Sequence, residues 1–514
     1  MSKFLQGITP RKYQQKILES CIKKNCLVVL PTGIGKTLIA LMLAIRRMEE
    51  FPKQKIVFLA PTKPLAEQHL DYFKKYLPEL FADMQLFTGV IKAEQREKIW
   101  QTADIIFSTP QCVANDLKKK LYDLKEVSLL IEDEAHRCIK NYDYNYVAQQ
   151  YLKQAQNQKI LGLTASPGSE ASKIKEICKN LSIEEVELRT RESLDVKEYL
   201  QELEFEKIFV EFPPEFQEIK HITSELLNKY IEELKTRRIL FGPSSKTRLI
   251  QLQKEIMGTL SRGNRNFNYM LGASACAQAI KLQHALELLE TQTLESFNKY
   301  LKNLFQQAAK KQSKGVMKLV KKVEFNFIFM QSNELLAKKM EHPKIQKLVE
   351  IVEKENKEKI KIIVFTQFRD SALTIAKKLN ELKGIKAKIF VGQAKKKDSG
   401  LSQKEQKKMI QEFSEGKINV LVATSIAEEG LDIPEVNTVI FYEPIPSAIR
   451  AIQRAGRTAR LMKGKLIVLI TKNTRDESFY YVSRSREKKM HSAISSIKED
   501  LANGVKWESQ KKLK

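Results

Sequence analysis

Cysteine, glycine and proline are all scarce in this chain of 514 residues, and each shortage excludes a class of protein. The six cysteines lack the paired CxxC spacing of a zinc ribbon or a disulfide scaffold, which fits a reduced compartment. With 19 glycines and 15 prolines, long low-complexity linkers are not expected. No apolar run approaches the ~20 residues of a membrane span, and the first residues lack the apolar core of a secretory signal. We therefore expect a cytoplasmic protein without a membrane partner.

Acidic residues are also in deficit. The chain has 89 Lys and Arg against 62 Asp and Glu, which gives a formal net charge of +27. An excess of this size favours an anionic polymer as partner, and nucleic acid is the usual one. A Lys-rich genome, which makes Lys-rich surfaces in general, is the alternative explanation. Residues 231–330 carry more than their share of this positive charge, with 17 Lys and Arg against 7 Asp and Glu.

Short apolar runs that alternate with helical patterns are abundant. Near-continuous apolar strands between helices indicate a parallel sheet covered on both faces. The runs form two series, at 27–30, 56–59, 104–107, 129–131 and 160–163, and at 362–365, 387–391, 420–422, 439–442 and 466–470. Between the series, apolar residues fall at helical spacing. We predict an α/β chain with parallel-sheet domains at 1–210 and 331–495, an all-helical insert at 211–330, and a basic tail at 496–514 that is frayed after Trp507.

A phosphate-binding loop follows the first apolar run. Glycines let backbone N–H groups curl around phosphate oxygens, and the helix that follows presents its N-terminus to the negative charge. The Lys of such a loop reaches the β- and γ-phosphates, and the Thr hydroxyl ligates Mg²⁺. Leu30 stands where the general pattern has its first Gly. The predicted ATP-binding residues are Pro31, Thr32, Gly33, Ile34, Gly35, Lys36 and Thr37.

An acidic pair follows the apolar run 129–131. Mg²⁺ needs a second anchor beside the loop Thr, and a carboxylate at a neighbouring strand end supplies it. Asp133 is the candidate for that ligand. Glu134 is then placed to orient and deprotonate the attacking water, and His136 to link the ATP site to moving parts.

These motifs resemble those of the superfamily 2 helicases and translocases, in the family order and over nearly all of the α/β portions. The resemblance implies two RecA-like domains that close on ATP, with adenine read by Arg11 and Gln14 in PRKYQQ. The further motifs that carry it are APTKPL (60–65) with Gln68, STPQ (108–111), TAS (164–166), VFTQFR (364–369), ATS (423–425) with EGLD (429–432), and QRAGRTAR (453–460).

The resemblance also assigns roles to single residues of these motifs. Thr164 and Ser166 are implied to couple hydrolysis to nucleic-acid contacts. Arg457 and Arg460, three apart on one helix face, are expected to stabilise the charge that develops on the γ-phosphate. The remaining ATP-binding residues that it implies are Gly430, Asp432 and Gln453.

Three further segments narrow the resemblance to the archaeal Hef helicases and the Fanconi-anaemia group M translocases. They read GQA (392–394), GLSQKEQ (400–406) and FYEPIPSAIR (441–450). In that group a thumb-like helical domain between the two RecA-like domains grips branched DNA. The resemblance implies ATP and Mg²⁺ as cofactors, forks and Holliday-type junctions as substrates, and a nucleoid-associated protein of an archaeal-type cell. The sequence stops at Lys514, so it does not imply nuclease activity. Two explanations stay open: a sequence cut from a longer chain, or a stand-alone helicase with a separate nuclease or sliding clamp as partner.

Several residues are candidates to contact nucleic-acid phosphates without reading sequence. In the α/β domains they are Lys63, Thr109, Gln367, Arg369 and Thr424, and in the insert Arg237, Arg238 and Arg248. For each insert residue, a solvated surface charge is an equal alternative. Two other functions stay open: an RNA-directed ATPase, because RNA-sensor helicases share this organisation, and a non-enzymatic junction-binding scaffold for a nuclease.

Overall fold

The computed structural model of the chain describes residues 4–200, 203–262, 267–355, 360–392, 401–424, 434, 436–445 and 464–505. Elements are numbered in chain order over these residues. The predicted site residues Gly430, Asp432, Gln453, Arg457 and Arg460 lie outside them.

A seven-stranded parallel sheet forms the first domain. Its strands are β1 (Cys26–Val29), β2 (Lys55–Leu59), β3 (Met84–Phe87), β4 (Ile105–Ser108), β5 (Val127–Asp133), β6 (Ile160–Thr164) and β7 (Glu185–Leu188). They lie in the order β3-β4-β2-β5-β6-β1-β7, and β1, β2, β4, β5 and β6 are buried along their whole length. The parallel arrangement brings the carboxyl ends of β1, β5 and β6 to one edge of the sheet, where the predicted ATP residues begin.

Eight helices accompany this sheet in the described part of the chain. They are α1 (Lys12–Lys23), α2 (Lys36–Glu50), α3 (Lys63–Tyr76), α4 (Ala93–Thr102), α5 (Pro110–Lys118), α6 (Asp143–Gln154), α7 (Ala171–Asn180) and α8 (Leu194–Lys197). Apolar residues on both faces of the sheet pack against them in two separate clusters. The sheet is therefore covered on both sides, as its apolar strands require.

The second sheet has six described strands in the order β10-β11-β9-β12-β13-β8. They are β8 (Leu203–Val210), β9 (Ile362–Phe365), β10 (Ala387–Phe390), β11 (Val420–Ala423), β12 (Thr438–Phe441) and β13 (Gly464–Thr471), with helices α15 (Pro343–Glu355), α16 (Arg369–Leu379) and α17 (Gln403–Ser414). The position of β8 differs from the predicted boundary at residue 210, because β8 pairs in parallel with β13 along its whole length. Partners more than 250 residues apart leave no local signal.

The predicted helical insert is confirmed. It consists of α9 (Pro214–Thr236), α10 (Lys246–Ser261), α11 (Phe267–Thr291), α12 (Leu294–Ala309), α13 (Lys314–Leu319) and α14 (Val323–Ala337) around an apolar core of their own. The last helix continues to Ala337, beyond the predicted end at 330. Phe325 is fully buried in this core.

The last helix, α18 (Arg475–Ala502), connects all three parts of the molecule. At 1.5 Å per residue its 28 residues span about 42 Å. Near its start, Asp476 forms a fully buried ion pair with Lys344 of α15 (2.8 Å), and Arg475 donates to the Gln283 carbonyl of the insert (2.7 Å). Near its end, Ile497 is buried in the core of the first domain. Residues 496–502, predicted as the start of the basic tail, are therefore helical, and Ile497 docks on the first domain. The predicted fraying after Trp507 lies outside the described residues.

No helix of the described ranges is both long enough and apolar enough to cross a membrane.

Candidate ATP site and nucleic-acid interface

The loop between β1 and α2 has the geometry of a phosphate cradle. Gly33 and Gly35 have left-handed φ values of +86° and +87°, which favour glycine. A Cβ atom on Gly35 would also come within 2.2 Å of the Gln14 amide nitrogen. Lys36 begins α2, and its Nζ donates to the carbonyl of Leu30 at 2.9 Å. The loop thus gathers backbone N–H groups, a helix N-terminus and an ammonium group at one strand end.

The first turn of helix α1 supports this loop through side-chain hydrogen bonds. Gln14 accepts from the Arg11 backbone N–H at 2.9 Å and donates to the carbonyls of Ile34 (3.4 Å) and Gly35 (3.3 Å). Tyr13 donates its hydroxyl to the Ile34 carbonyl as well. The buried Gln14 amide is therefore a support of the loop. Adenine reading by Gln14 and Arg11 remains a prediction.

Asp133 ends β5, and hydrogen bonds hold both its side chain and its backbone carbonyl. Its Oδ2 lies 2.8 Å from Nε2 of His69, and its backbone carbonyl accepts from the Tyr144 hydroxyl at 2.6 Å. Burial acts to raise the pKa of Asp133, but the hydrogen bond with His69 and the charge of Lys36 outweigh burial and hold the pKa below its usual range. The carboxylate is thus ionised, as a ligand of a divalent cation must be.

Glu134 follows in a left-handed conformation, with φ of +52°, which turns its side chain out of the strand. One of its carboxylate oxygens lies 3.2 Å from Nδ1 of His136. That oxygen has no well-aligned hydrogen-bond partner within the described residues, because the same His136 nitrogen is directed at Thr164 Oγ1 (3.1 Å). A carboxylate with a spare acceptor beside a phosphate cradle is suited to hold a water molecule.

Thr164 and Ser166 continue this line of contacts away from the site. The Ser166 backbone N–H donates to Thr164 Oγ1 at 3.1 Å, and the Ser166 hydroxyl donates to the Met490 sulfur at 2.8 Å. Met490 belongs to α18, whose other end is anchored on the insert and on α15. The arrangement connects Glu134, through His136 and the two motif residues, to the helix that joins the three parts of the molecule.

The two sheets face each other across a cavity of about 750 Å³ beside this line of contacts. Its walls include Pro31 and Ala165 from the first domain, Phe441 from the second, and Arg484 and Met490 from α18. A gap of this size between the domains leaves room for them to close, and α18 forms one of its walls.

The predicted phosphate contacts of the first domain lie at helix starts. Lys63 begins α3 and pairs with Glu67 at 3.4 Å, and Glu67 also pairs with Lys407 of the second domain at 3.1 Å. Thr109 precedes α5 in extended conformation, so the first N–H groups of that helix lie beside it.

The contacts predicted in the second domain differ in exposure. Gln367 has an exposed side chain, whereas Thr424 is 5% exposed and its N–H donates to the Phe390 carbonyl (3.1 Å). Arg369 donates to the Gly392 carbonyl at 3.1 Å. Of the three, Gln367 is best placed to meet a ligand from solvent.

Two of the three insert arginines are ion-paired within the insert. Arg237 pairs with Glu233 at 2.9 Å, and Arg248 pairs with Glu255 at 3.0 Å. Arg238 is exposed and has a left-handed φ of +53°. Exposed pairs of this kind contribute little to stability, so they do not prevent these guanidinium groups from meeting phosphates.

Two residues of this candidate site, His69 and Met490, were not predicted from the sequence. His69 lies four residues after the APTKPL motif and is buried, and an isolated His on an apolar helix face gives no signal of its partner. Met490 is one of 12 methionines, and its contact with Ser166 spans 324 residues.

Comparison with known proteins agrees with this geometry. A DEAD/DEAH box helicase domain matches residues 11–174, a helicase conserved C-terminal domain matches 343–462, and a domain described as "Putative ATP-dependent RNA helicase, helical bundle" matches 215–338. The crystal structure of the Pyrococcus furiosus Hef helicase domain is 41% identical, with a TM-score of 0.72, and the match covers 94% of this chain and 100% of that one. The chain belongs to the Hef helicase family. The predicted resemblance, the two RecA-like domains and the insert between them are thereby confirmed.

Longer relatives of this Hef-family chain carry different names. The "Putative ATP-dependent RNA helicase MJ1505" of Methanocaldococcus jannaschii is 38% identical over 95% of the chain, and the ATP-dependent DNA helicase mph1 of Neurospora crassa is 34% identical over 91%. The Fanconi anemia group M protein homolog of Mus musculus is 32% identical over 96%. The chain spans 61%, 41% and 26% of the length of these three relatives.

Proposed function

We propose that this chain is an ATP-dependent DNA helicase or translocase that remodels branched DNA, such as stalled forks and Holliday-type junctions, in replication-fork repair and recombination. The observation that carries the proposal is the line of contacts from Glu134 through Thr164 and Ser166 to α18. It links an ATP site to a helix anchored on the insert, which is the coupling that movement along a strand requires. The 34% identity to a protein named ATP-dependent DNA helicase mph1 supports DNA as the track.

In the proposed hydrolysis, the loop residues 31–37 bind the phosphates, with Lys36 compensating their charge. Glu134 holds the attacking water through its spare carboxylate oxygen and accepts its proton. Transition-state charge is compensated by Arg457 and Arg460 from the second domain, with Gly430, Asp432 and Gln453 completing the ATP contacts. These last assignments rest on the motif resemblance.

Thr37 and Asp133 are the residues that would hold Mg²⁺. Asp133 fits this role because its carboxylate is ionised although it is buried, and Thr37 lies in the first turn of α2 after the loop. A bound Mg²⁺ supplies charge neutralisation to the phosphate oxygens. His69 keeps one Asp133 oxygen hydrogen-bonded, and the charge of Lys36 in the loop also acts on this carboxylate.

On the nucleic-acid side, we assign Lys63, Thr109, Gln367, Arg369 and Thr424 to the tracked strand. Arg237, Arg238 and Arg248 of the basic insert are assigned to a duplex arm. Contacts to phosphates do not read bases, so binding should be sequence-tolerant and should weaken steeply with salt. A separate nuclease or a sliding clamp is the expected class of protein partner.

An RNA-directed ATPase is the second candidate function. Two names favour it, because the helical-bundle domain and the Methanocaldococcus relative are both described as a putative ATP-dependent RNA helicase.

A substrate panel separates the two. The purified chain is assayed for ATP hydrolysis with forked DNA, linear duplex DNA, single-stranded DNA and double-stranded RNA, with Lys36→Ala as the inactive control. Strongest stimulation by forked DNA supports the proposal, and strongest stimulation by RNA refutes it. Lys36→Ala should abolish hydrolysis while fork binding stays measurable, and surviving ATPase activity would overturn the site assignment.

A further inference from the structure

A buried network of hydrogen bonds joins the insert to the VFTQFR motif, and no part of it was apparent in the sequence. It involves the turn between α11 and α12 on the insert side and the ends of β9 and β12 on the other. Its polar members are 0–5% exposed and are Gln292, Thr293, Ser296, Thr366, Ser371 and Glu443.

Gln292 lies at the centre of the network. Its side-chain carbonyl accepts from the hydroxyl of Ser371 at 2.7 Å and from that of Thr366 at 3.4 Å. Its amide nitrogen donates to Thr291 Oγ1 at 3.0 Å. One fully buried side chain of the insert thus uses both ends of its amide, and the acceptor end is directed at the second domain.

The orientation of this amide follows from its neighbours. The Thr291 hydroxyl donates its single proton to the Glu287 carbonyl (2.7 Å), so Thr291 can only accept from Gln292. Ser371 donates its proton to Gln292 and must therefore accept from Ser296, 3.2 Å away. The hydrogen bonds among Gln292, Thr291, Ser371 and Ser296 run in one consistent direction, which makes the amide costly to rotate and costly to remove.

The same network fixes the motif around Gln367. The Thr366 hydroxyl shares its single proton between the Gln292 carbonyl (3.4 Å) and the Glu443 carboxylate (3.3 Å), and that carboxylate also accepts from the Gln367 backbone N–H. Phe368 packs against the core of the insert, with its ring 5.7 Å from that of His284. Residues on both sides of Gln367 are therefore fixed by the insert or by the second domain, while the Gln367 side chain is exposed.

We propose that Gln292 is a positioning residue of the helicase reaction: it holds the insert in fixed register with the strand-binding motif. A duplex arm on the insert and a single strand at Gln367 then move as one unit when the domains close. The inference rests on the proposed function, since it takes Gln367 and the insert as DNA contacts. Gln292 itself is buried and does not touch DNA or ATP.

The test compares Gln292→Met and Ser371→Ala with a matched control, Ser332→Ala. Ser332 is equally buried and equally hydrogen-bonded, to Asn298 and to the Phe329 carbonyl, but these partners all lie inside the insert. Each variant is measured for melting temperature, for ATPase activity without DNA, for the DNA concentration that gives half-maximal ATPase stimulation, and for ATP consumed per strand separated.

We expect Gln292→Met and Ser371→Ala to retain ATPase activity without DNA. The half-maximal fork concentration and the ATP consumed per strand should each rise by about fivefold, which corresponds to the loss of about 1 kcal/mol of positioning free energy. Ser332→Ala should leave both quantities near the wild-type values. An equal effect of all three substitutions, unchanged values in Gln292→Met, or a loss of ATPase without DNA in parallel with the DNA-dependent quantities would overturn the proposal.

The readouts also separate this inference from the proposed function. A wild-type chain that shows no preference for forks over linear duplex refutes branched-DNA specificity. In that case, the role of Gln292 is still tested by the ATP consumed per strand separated on linear duplex DNA. The register between the insert and the motif matters for any duplex that is opened.

Discussion

Glu132 is a buried acid that the proposed chemistry does not use, and it directly precedes the proposed site residues Asp133 and Glu134. It precedes Asp133 in β5, so its side chain points to the opposite face of the sheet. It is 0% exposed, and neither carboxyl oxygen has a well-aligned hydrogen-bond partner within the described residues. Burial raises the pKa of Glu132 well above its usual range, and the Cys138 thiol opposes the rise to a smaller extent. Replacing it by Gln keeps the shape and removes the ionisation.

The magnitude follows from proton linkage. Below the ordinary carboxyl pKa both the folded and the unfolded chain are protonated, and ionisation plays no part. Above it, the unfolded chain releases the proton and the folded chain retains it. The free energy of unfolding of the wild type therefore falls by about 1.4 kcal/mol per pH unit until pH reaches the raised pKa. Glu132→Gln has no ionisable group at this position and does not show this loss. The free energy of unfolding of the variant should therefore exceed that of the wild type by an amount that grows at the same rate.

Thermal melting between pH 5 and 8 measures this advantage. For a domain of this size, 1.4 kcal/mol corresponds to about 3–6 °C, so the melting temperatures should diverge by that much per pH unit up to the raised pKa of Glu132. Glu132→Gln should also retain ATPase activity, whereas Glu134→Gln should lose it and trap a nucleotide-bound, DNA-bound state. A difference in melting temperature that stays constant with pH would refute a raised pKa for Glu132. Normal turnover in Glu134→Gln would refute the role of Glu134.

Three further substitutions test other contacts. Gly35→Ala should weaken ATP binding measurably in a fluorescent-nucleotide titration, because its Cβ meets the Gln14 amide and a left-handed φ costs about 1–2 kcal/mol; unchanged affinity would contradict the loop geometry. Asp476→Ala should destabilise the chain by about 3–5 kcal/mol in denaturant unfolding, because Lys344 is left as an unpaired buried charge, and a loss below about 1 kcal/mol would argue against that pair. Met490→Leu should keep ATPase activity and raise the ATP consumed per strand separated by about threefold to tenfold, while an unchanged ratio would argue against coupling through α18.

The parts of the fold that were predicted from the sequence depend on local patterns. The loop at Gly35 and Lys36 and the acids at Asp133 and Glu134 each lie within a few residues of an apolar strand, so the motif and its structural context are read together. The insert was recognised for the same reason, because helical spacing replaces strand alternation over more than 100 consecutive residues.

The parts that were missed depend on distant partners. Strand β8 shows alternating burial along an exposed edge, and only its pairing with β13 assigns it to the second sheet. Ile497 was placed in the basic tail because the surface that buries it belongs to the first domain. The partners of His69 and Gln292 lie 64 and more than 70 residues away, on other elements, and a buried hydrogen bond of this kind has no sequence period.

The central claim is most directly tested by strand separation on a labelled DNA fork in the presence of ATP, with unlabelled competitors added in excess. The account predicts that a second fork suppresses the reaction at the lowest concentration, linear duplex DNA at a higher one, and double-stranded RNA least of all. Suppression by double-stranded RNA at the lowest concentration, or separation that continues in Lys36→Ala, would contradict it.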